Sequence, residues 1–563
     1  MVKIRYRMCD LIENIMMFIF AIITVYLVYL SGFSTAVITF YERTMLIRDS
    51  FKNNIICLVA FLVIGYLFFR HFKFVDKEIK RINSDIKLSN KYRKLLLGII
   101  GLTAICFVLI VQKIPRSDQL LVGEAANNWI NLNYSDIEKG GYVDHYPNQL
   151  GMVILLYYLA HLVGGNNYIV FQIINVLVLI ALYKGFADLS DCAGNDNFTG
   201  LAIIFGCGIF LPGILYTTFV YGTIIGLSCS VNAFKYIIYY SKDHKVRCLI
   251  SGVTLMFVAV AVKSNYMIFL LGLIIILLYL YIQGADHMLL VPMLMMVLIL
   301  LFSNHFIKGL TEKITGVSVG KGVTTLSWVE MGFQKNDELF DGWWNNYNID
   351  SYKEAGFDTE QQKERVFRDL KQSISEFKEN PNLAISFFAG KNASQWNNPD
   401  FQGMWINQTM SSNLKYTEFL NELFSEHGIG RYFPILNYLQ FILYFGVLLF
   451  VLFGEKNHIN LYYAVIIIGG FIFHTIWEAK CQYTFPFAML MIPLSVQGYL
   501  KPLAAVTGSE TAKKTYKKCM IYGILFIMLA AIIRFGNIDT LNKVVVRGED
   551  TEAYYEYLYD SFN

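Results

Sequence analysis

Asp118, in Arg116-Ser117-Asp118-Gln119, stands just beyond an apolar run from Leu95 to Val111 and opens a polar loop that closes on Tyr142-Val143-Asp144-His145-Tyr146-Pro147-Asn148-Gln149. A carboxylate held at a membrane surface is a candidate general base, and within hydrogen-bond reach of a hydroxyl it accelerates attack by about 10² to 10⁴-fold. Lys263, in Val262-Lys263-Ser264-Asn265-Tyr266, interrupts two apolar runs where an unpaired ammonium is costly. Glu478, Lys480 and Tyr483 gather in Trp477-Glu478-Ala479-Lys480-Cys481-Gln482-Tyr483. Asp144 and His145 form an acid-imidazole pair, but a metal site needs further ligands at short range, and Asp136 and His161 are only loosely placed to supply them. Hydrogen bonding to a substrate is therefore expected of the pair in preference to metal binding. The nine cysteines show neither metal-type spacing nor a disulfide framework.

The elements that must hold these residues are apolar helices. With 563 residues, 55% hydrophobic and 16% charged, and a positive mean hydropathy, the chain is excluded from the ordinary soluble class. A bilayer core of about 30 Å takes about 20 apolar residues per helix. Thirteen spans are predicted, near 15–38, 55–69, 95–112, 168–187, 198–214, 219–240, 248–263, 266–283, 287–306, 433–453, 459–476, 484–499 and 519–534. The first is too long, and too poor in a small-residue cleavage site, for a removed signal peptide.

Cytoplasmic loops carry the excess of Lys and Arg. Residues 70–94 hold nine basic against three acidic residues, which places that loop inside, with the N-terminus. The loop that begins at Lys113 is then outside. Lys501, Lys513, Lys514, Lys517 and Lys518 place 500–518 inside and the C-terminus outside. Working back, 307–432 is external and Lys242, Lys245 and Arg247 are internal. Between His145 and Lys242 an odd number of crossings is required, yet four apolar segments lie there, 148–163 included. The weakest is 148–163, flanked by Pro147 and Gly164-Gly165, and it reads as a helix lying in the outer leaflet. The alternative, in which it spans and another segment is re-entrant, stays open.

The expected division is a transmembrane module over 1–306 with its first external loop at 113–148, a soluble, mainly helical cap over 307–432, transmembrane helices over 433–534 and an external acidic tail over 535–563. All seven tryptophans, at 129, 328, 343, 344, 396, 405 and 477, fall on the outer side of this topology. An aromatic belt would populate both faces. Indole faces suit the C–H faces of sugars as well as plain core packing.

A helix, an external Asp118, a loop ending in Tyr146-Pro147 and a glycine-rich turn together resemble the first external loop of the GT-C glycosyltransferases, the superfamily of protein O-mannosyltransferases and lipid A aminoarabinose transferases. Phe388 to Trp405, containing Trp396-Asn397-Asn398-Pro399-Asp400-Phe401, and Trp477 to Pro486 resemble bacterial cell-envelope members. The resemblance is one of order and topology, with motif identity confined to these patches. It implies an all-α polytopic fold and transfer of a sugar, with inversion, from a polyprenyl-phosphate donor to a cell-envelope glycan. Asp118 would be the base; Lys263, Lys480 and Arg116 would bind the donor phosphate; and Asp144, His145, Tyr146, Glu478, Tyr483 and Trp396 would bind substrate. A divalent metal is not favoured, because Trp343-Trp344-Asn345 bears Asn where metal-using relatives carry Asp. No nucleic-acid partner is indicated. Basic internal loops and the Lys, Asn and Ile usage point to a bacterial plasma membrane. Two rivals remain, a lipid-linked sugar flippase and a non-catalytic scaffold of envelope assembly. A transporter is expected to place ionisable groups at the bilayer midplane, whereas here the polar residues concentrate on one face.

Overall fold

Backbone amides in hydrocarbon must be satisfied within their own segment, so the apolar runs of this chain become helices. The computed structural model describes residues 2–71, 73–165, 167–408, 417–500, parts of 521–541, and 544–562. Among them, seven helices are long and apolar enough to cross a membrane: Arg7–Phe33, Ile86–Val111, Tyr168–Cys192, Ser264–Gly284, His287–Thr315, Glu426–Phe453 and His458–Ile476. An eighth arises if Asn197–Ile209 and Leu211–Thr218, bent by 65° at a break beside Pro212, count as one span. The helices Phe51–Leu67, Pro147–Val163 and Val246–Val262 are apolar but shorter. The protein is thus a mainly helical, multi-pass membrane protein. The expected loop 500–518 lies outside the described residues from 501 onward, and the expected span 519–534 is described only in part.

Helix α1 (Val2–Phe33) stops where the sequence reading carried the first span on to 38. Residues 34–38 instead form strand β1 (Ser34–Ile38), paired antiparallel with β2 (Thr44–Arg48) in the register Ser34↔Arg48 to Ile38↔Thr44. The segment is apolar and β-branched, which fits strand and helix alike, and a short run of this kind is not told apart by hydropathy. Tertiary partners decide it: Ala36 N–H donates to the Asn397 carbonyl at 3.0 Å, and Asn398 Nδ2 donates to the Ala36 carbonyl at 2.9 Å. Helix α2 (Phe51–His71) follows.

Helix α3 (Ile86–Val111) begins at an Asp85 cap that accepts from the amides of Lys87 and Leu88. It buries Arg93, Leu97, Ile100, Ala104 and Val108 along one stripe and exposes Leu95, Ile99, Leu102, Leu109 and Ile110 on the other, as lipid contact requires. Next come α4 (Asp118–Ile130), α5 (Leu150–Val163) and α6 (Tyr168–Cys192). Arg93 near the start of α3 pairs with Asp191 at the end of α6 at 2.6 Å, and Gln172 near the start of α6 donates to the Lys113 carbonyl at 2.8 Å. Residues 113–167 therefore leave and rejoin the bundle at the same end. Helix α5, 14 residues and about 21 Å long, lies within that excursion. A side chain at Gly151 would collide with the Ala261 carbonyl, so glycine is what lets α5 settle on its neighbour.

The remaining helices run to and fro between this end and the opposite one: α7 (Thr223–Asp243), α8 (Val246–Val262), α9 (Met267–Gly284), α10 (Leu290–Thr315), α11 (Glu426–Phe453), α12 (His458–Ile476) and α13 (Cys481–Leu500). The expected cap behaves as two parts. The first holds helices Leu326–Met331, Tyr347–Glu354 and Thr359–Glu379 around Met331, Tyr352 and Val366. The second, Pro381–Trp396 and the residues up to 408, turns inward and is buried almost throughout from Ala389. The expected acidic tail is docked where it is described. Val545 bridges to Leu46, Asp550 pairs with Arg43 at 2.8 Å, and the Tyr554 hydroxyl accepts from Gln408 at 2.9 Å.

Candidate active site

Asp118 is the first residue of α4, and Ser117 before it has φ 53°, a strained conformation for a side-chain-bearing residue. The carboxylate is solvent-accessible although protein surrounds it closely. Burial pushes its pKa above the ordinary carboxylate range and the Glu42 charge adds to this, while Lys480 and Lys263 act in the opposite direction. The Tyr142 hydroxyl faces it without reaching the geometry of a formed hydrogen bond.

Lys263 lies in extended backbone between α8 and the next helix. It is 8% exposed; its Nζ donates to Thr223 Oγ1 at 3.0 Å and sits 4.5 Å from the centre of the Tyr221 ring. No carboxylate forms an ion pair with it among the described residues. Burial lowers its pKa to about 7, with Asp118 working against the fall. A buried ammonium without an ion-pair partner is costly to keep charged.

Residues 477–480 bridge α12 and α13 at the same end. Glu478 N–H donates to the Trp328 carbonyl and Ala479 N–H to the Gly342 carbonyl, at 2.9 and 2.8 Å, so the 328–342 segment pins this strip. Glu478 is 2% exposed, and burial pushes its pKa up to about 7, Glu42 and Asp118 adding to the rise. Its Oε2 accepts from the Tyr483 hydroxyl at 3.4 Å. Lys480 Nζ lies 3.1 Å from Glu42 Oε1. Burial acts to lower the Lys480 pKa, but Glu42, Glu478 and Asp118 together hold it above the ordinary value. Tyr146 is coupled to Asp118, Glu478 and Lys480, and its hydroxyl accepts from Asn348 at 3.2 Å. It neighbours Trp328, which stacks on Trp477 with ring centres 5.9 Å apart and planes 6° from parallel.

Asp118, Lys263, Glu478, Lys480, Tyr146 and Tyr483 are thus brought together from four separated stretches of chain. The other expected site residues have protein partners of their own. The Arg116 guanidinium donates to the carbonyls of Trp405 and Phe40 at 3.2 and 2.9 Å and lies 4.2 Å from the centre of the Trp405 ring, so it clamps structure. Asp144 accepts from Gly140 N–H at 3.0 Å, and His145 Nδ1 contacts the Gly141 carbonyl at 2.7 Å among the rings of Tyr146, Tyr352 and Phe357. Trp396 is fully buried against Phe471 and Phe487. Its motif works as a joint: the Asn397 side chain donates to the carbonyls of Leu30 at the end of α1 and Ser34 at the start of β1, Asn398 holds Ala36, and Asp400 accepts from Met404 N–H at 2.8 Å. Among the described residues no group of three or more His, Cys, Asp or Glu is arranged to hold a metal.

The sequence reading passed over Glu42, at the tip of the hairpin. The available signal was modest: Tyr41-Glu42-Arg43 is a polar break between two apolar runs, on the side that the charge rule assigns to Asp118. Comparison with known proteins adds no name, since neither a family model nor a curated protein matches the chain.

Proposed function

We propose that the protein is a membrane glycosyltransferase that moves a sugar from a polyprenyl-phosphate donor to a cell-envelope glycan, with inversion. The supporting observation is the placement of Lys263, a buried ammonium without an ion-pair partner among the described residues, beside the accessible carboxylate of Asp118. An anion site next to a base matches a reaction in which a phosphate leaves as a hydroxyl attacks. The acceptor oxygen attacks the anomeric carbon, Asp118 takes its proton, and the bond to the phosphate oxygen breaks with its electrons going to the phosphate. Lys263 offsets the charge that develops there. Tyr146, Glu478 and Tyr483 line the same cleft and are suited to the sugar hydroxyls.

The topology that goes with this reading has thirteen crossings, the N-terminus in the cytoplasm, and the hairpin, the region from 307 to 432 and the C-terminal segment on the outer face of a plasma membrane. It draws on the to-and-fro course of the helices and on the basic character of the 70–94 loop at the end opposite Asp118. The test is transfer from a polyprenyl-phosphate sugar in membranes. Asp118→Asn should abolish it while leaving the protein folded, and survival of transfer would refute the base assignment.

A further inference from the structure

The hairpin between α1 and α2 brings a third carboxylate to the cleft. Glu42 sits at its tip with φ 66°, and Gln402, which donates to Glu42 Oε1 at 2.7 Å, has φ 67°. Left-handed backbone at two side-chain-bearing residues that meet through a hydrogen bond costs energy and persists only where the surroundings enforce it. The enforcement is visible from several directions. Arg116 holds the Phe40 carbonyl, Asp550 holds Arg43 at 2.8 Å and also Thr39, and Asn397 and Asn398 hold the strand leading in. The Lys480 ammonium that Glu42 meets is also within electrostatic reach of Asp118 and Glu478.

One ammonium shared among three carboxylates leaves no positive charge to spare for a phosphate. Lys263 forms no ion pair among the described residues, and of the three carboxylates only Asp118 acts on it electrostatically. We propose, resting on the glycosyl-transfer reading, that Glu42 is a positioning residue that holds Lys480 between Asp118 and Glu478 and keeps it off the phosphate, leaving Lys263 as the anion ligand. The hairpin that continues the first helix, and the C-terminal segment that clamps it, are thereby parts of the site.

The test uses the full chain in nanodiscs, with undecaprenyl phosphate as the probe. Glu42→Gln frees Lys480 and removes a negative charge beside the anion site, so affinity for the probe rises about three- to tenfold. In the double variant Glu42→Gln/Lys480→Gln the gain disappears, and affinity returns to within about twofold of the unmodified protein. This variant exchanges an ion pair for an amide pair, so it also guards against misfolding of the single one. Unchanged or weaker binding by a monodisperse Glu42→Gln protein overturns the proposal. Reductive ¹³C-methylation gives a readout independent of any ligand. The Lys480 resonance, assigned by its loss in Lys480→Arg, should titrate at lower pH in Glu42→Gln, and an unmoved titration overturns the pairing. If the unmodified protein does not bind undecaprenyl phosphate, the glycosyl-transfer reading fails, and the lysine resonance still decides what Glu42 does to Lys480.

Discussion

Replacing Lys263 with methionine should make the empty protein more stable and unable to hold a phosphate monoester. Burial takes the Lys263 pKa from 10.5 to about 7. At ~1.4 kcal/mol per pH unit this amounts to roughly 5 kcal/mol against the folded state when the group is charged. Methionine keeps the length of the apolar stem. It deprives Thr223 Oγ1 of a donor, which costs about 1 kcal/mol, so a net gain of a few kcal/mol is expected. The sign follows from proton counting. The folded state binds fewer protons than the unfolded chain between about pH 7 and 10.5, so the unmodified protein gains stability as pH rises through that window. The advantage of Lys263→Met is therefore largest at and below pH 7 and fades towards pH 10.5. Thermal unfolding in detergent at pH 6.5, 8 and 9.5, with and without undecaprenyl phosphate, reads both effects. A hundredfold excess of ligand over its Kd stabilises a binding-competent protein by about 2.7 kcal/mol. The unmodified protein should show that gain and Lys263→Met should not. A variant that melts earlier at pH 6.5, or that still responds to the ligand, would refute the assignment of a buried, anion-seeking ammonium.

Three other outcomes follow from the same geometry. Because burial raises the Asp118 pKa and a base must be deprotonated, transfer should rise with pH along an acid limb lying above the ordinary carboxylate range, and a limb near pH 4 would count against Asp118 as base. Arg116→Met strands two buried carbonyls at about 1 to 3 kcal/mol each, so it should lower the melting temperature while the folded protein still binds undecaprenyl phosphate; loss of binding without loss of stability would return Arg116 to the phosphate. Trp396→Ala empties a core position and should cost about 3 to 5 kcal/mol, with activity falling in step with the folded fraction, and a selective rise in acceptor KM would contradict this.

The legible parts of the sequence were those governed by local periodicity and charge. The long apolar helices announce themselves because each must satisfy its own backbone in lipid, and Asp118 follows one of them too closely to lie elsewhere than at its C-terminal end. The 34–38 segment was misread because an apolar, β-branched stretch beside a membrane fits strand and helix equally, and what made it a strand was hydrogen bonding to Asn397 and Asn398. Trp396, Asp144, His145 and Arg116 looked like site residues because polar and aromatic side chains near a cleft have the same composition whether they bind a ligand or brace the walls. Their hydrogen bonds and burial separate the two roles. Arg116 and Trp396 meet partners remote in sequence, the carbonyls of Trp405 and Phe40 and the ring of Phe471, whereas Asp144 and His145 bond Gly140 and Gly141 four residues back.

By itself the sequence determined that this is a helical membrane protein whose ionisable residues of interest fall towards one end, since hydropathy and loop charge act locally and do not need the fold. Tertiary structure alone decided which charges meet. Lys263 is left without an ion-pair partner among the described residues while Lys480 is shared among Glu42, Glu478 and Asp118. That difference arises because a hairpin near the start of the chain, a strip beyond residue 476 and a C-terminal segment converge on one cleft. In a low-dielectric cleft the energy of a charge depends on its neighbours within a few ångströms, and packing selects those neighbours from distant parts of the chain.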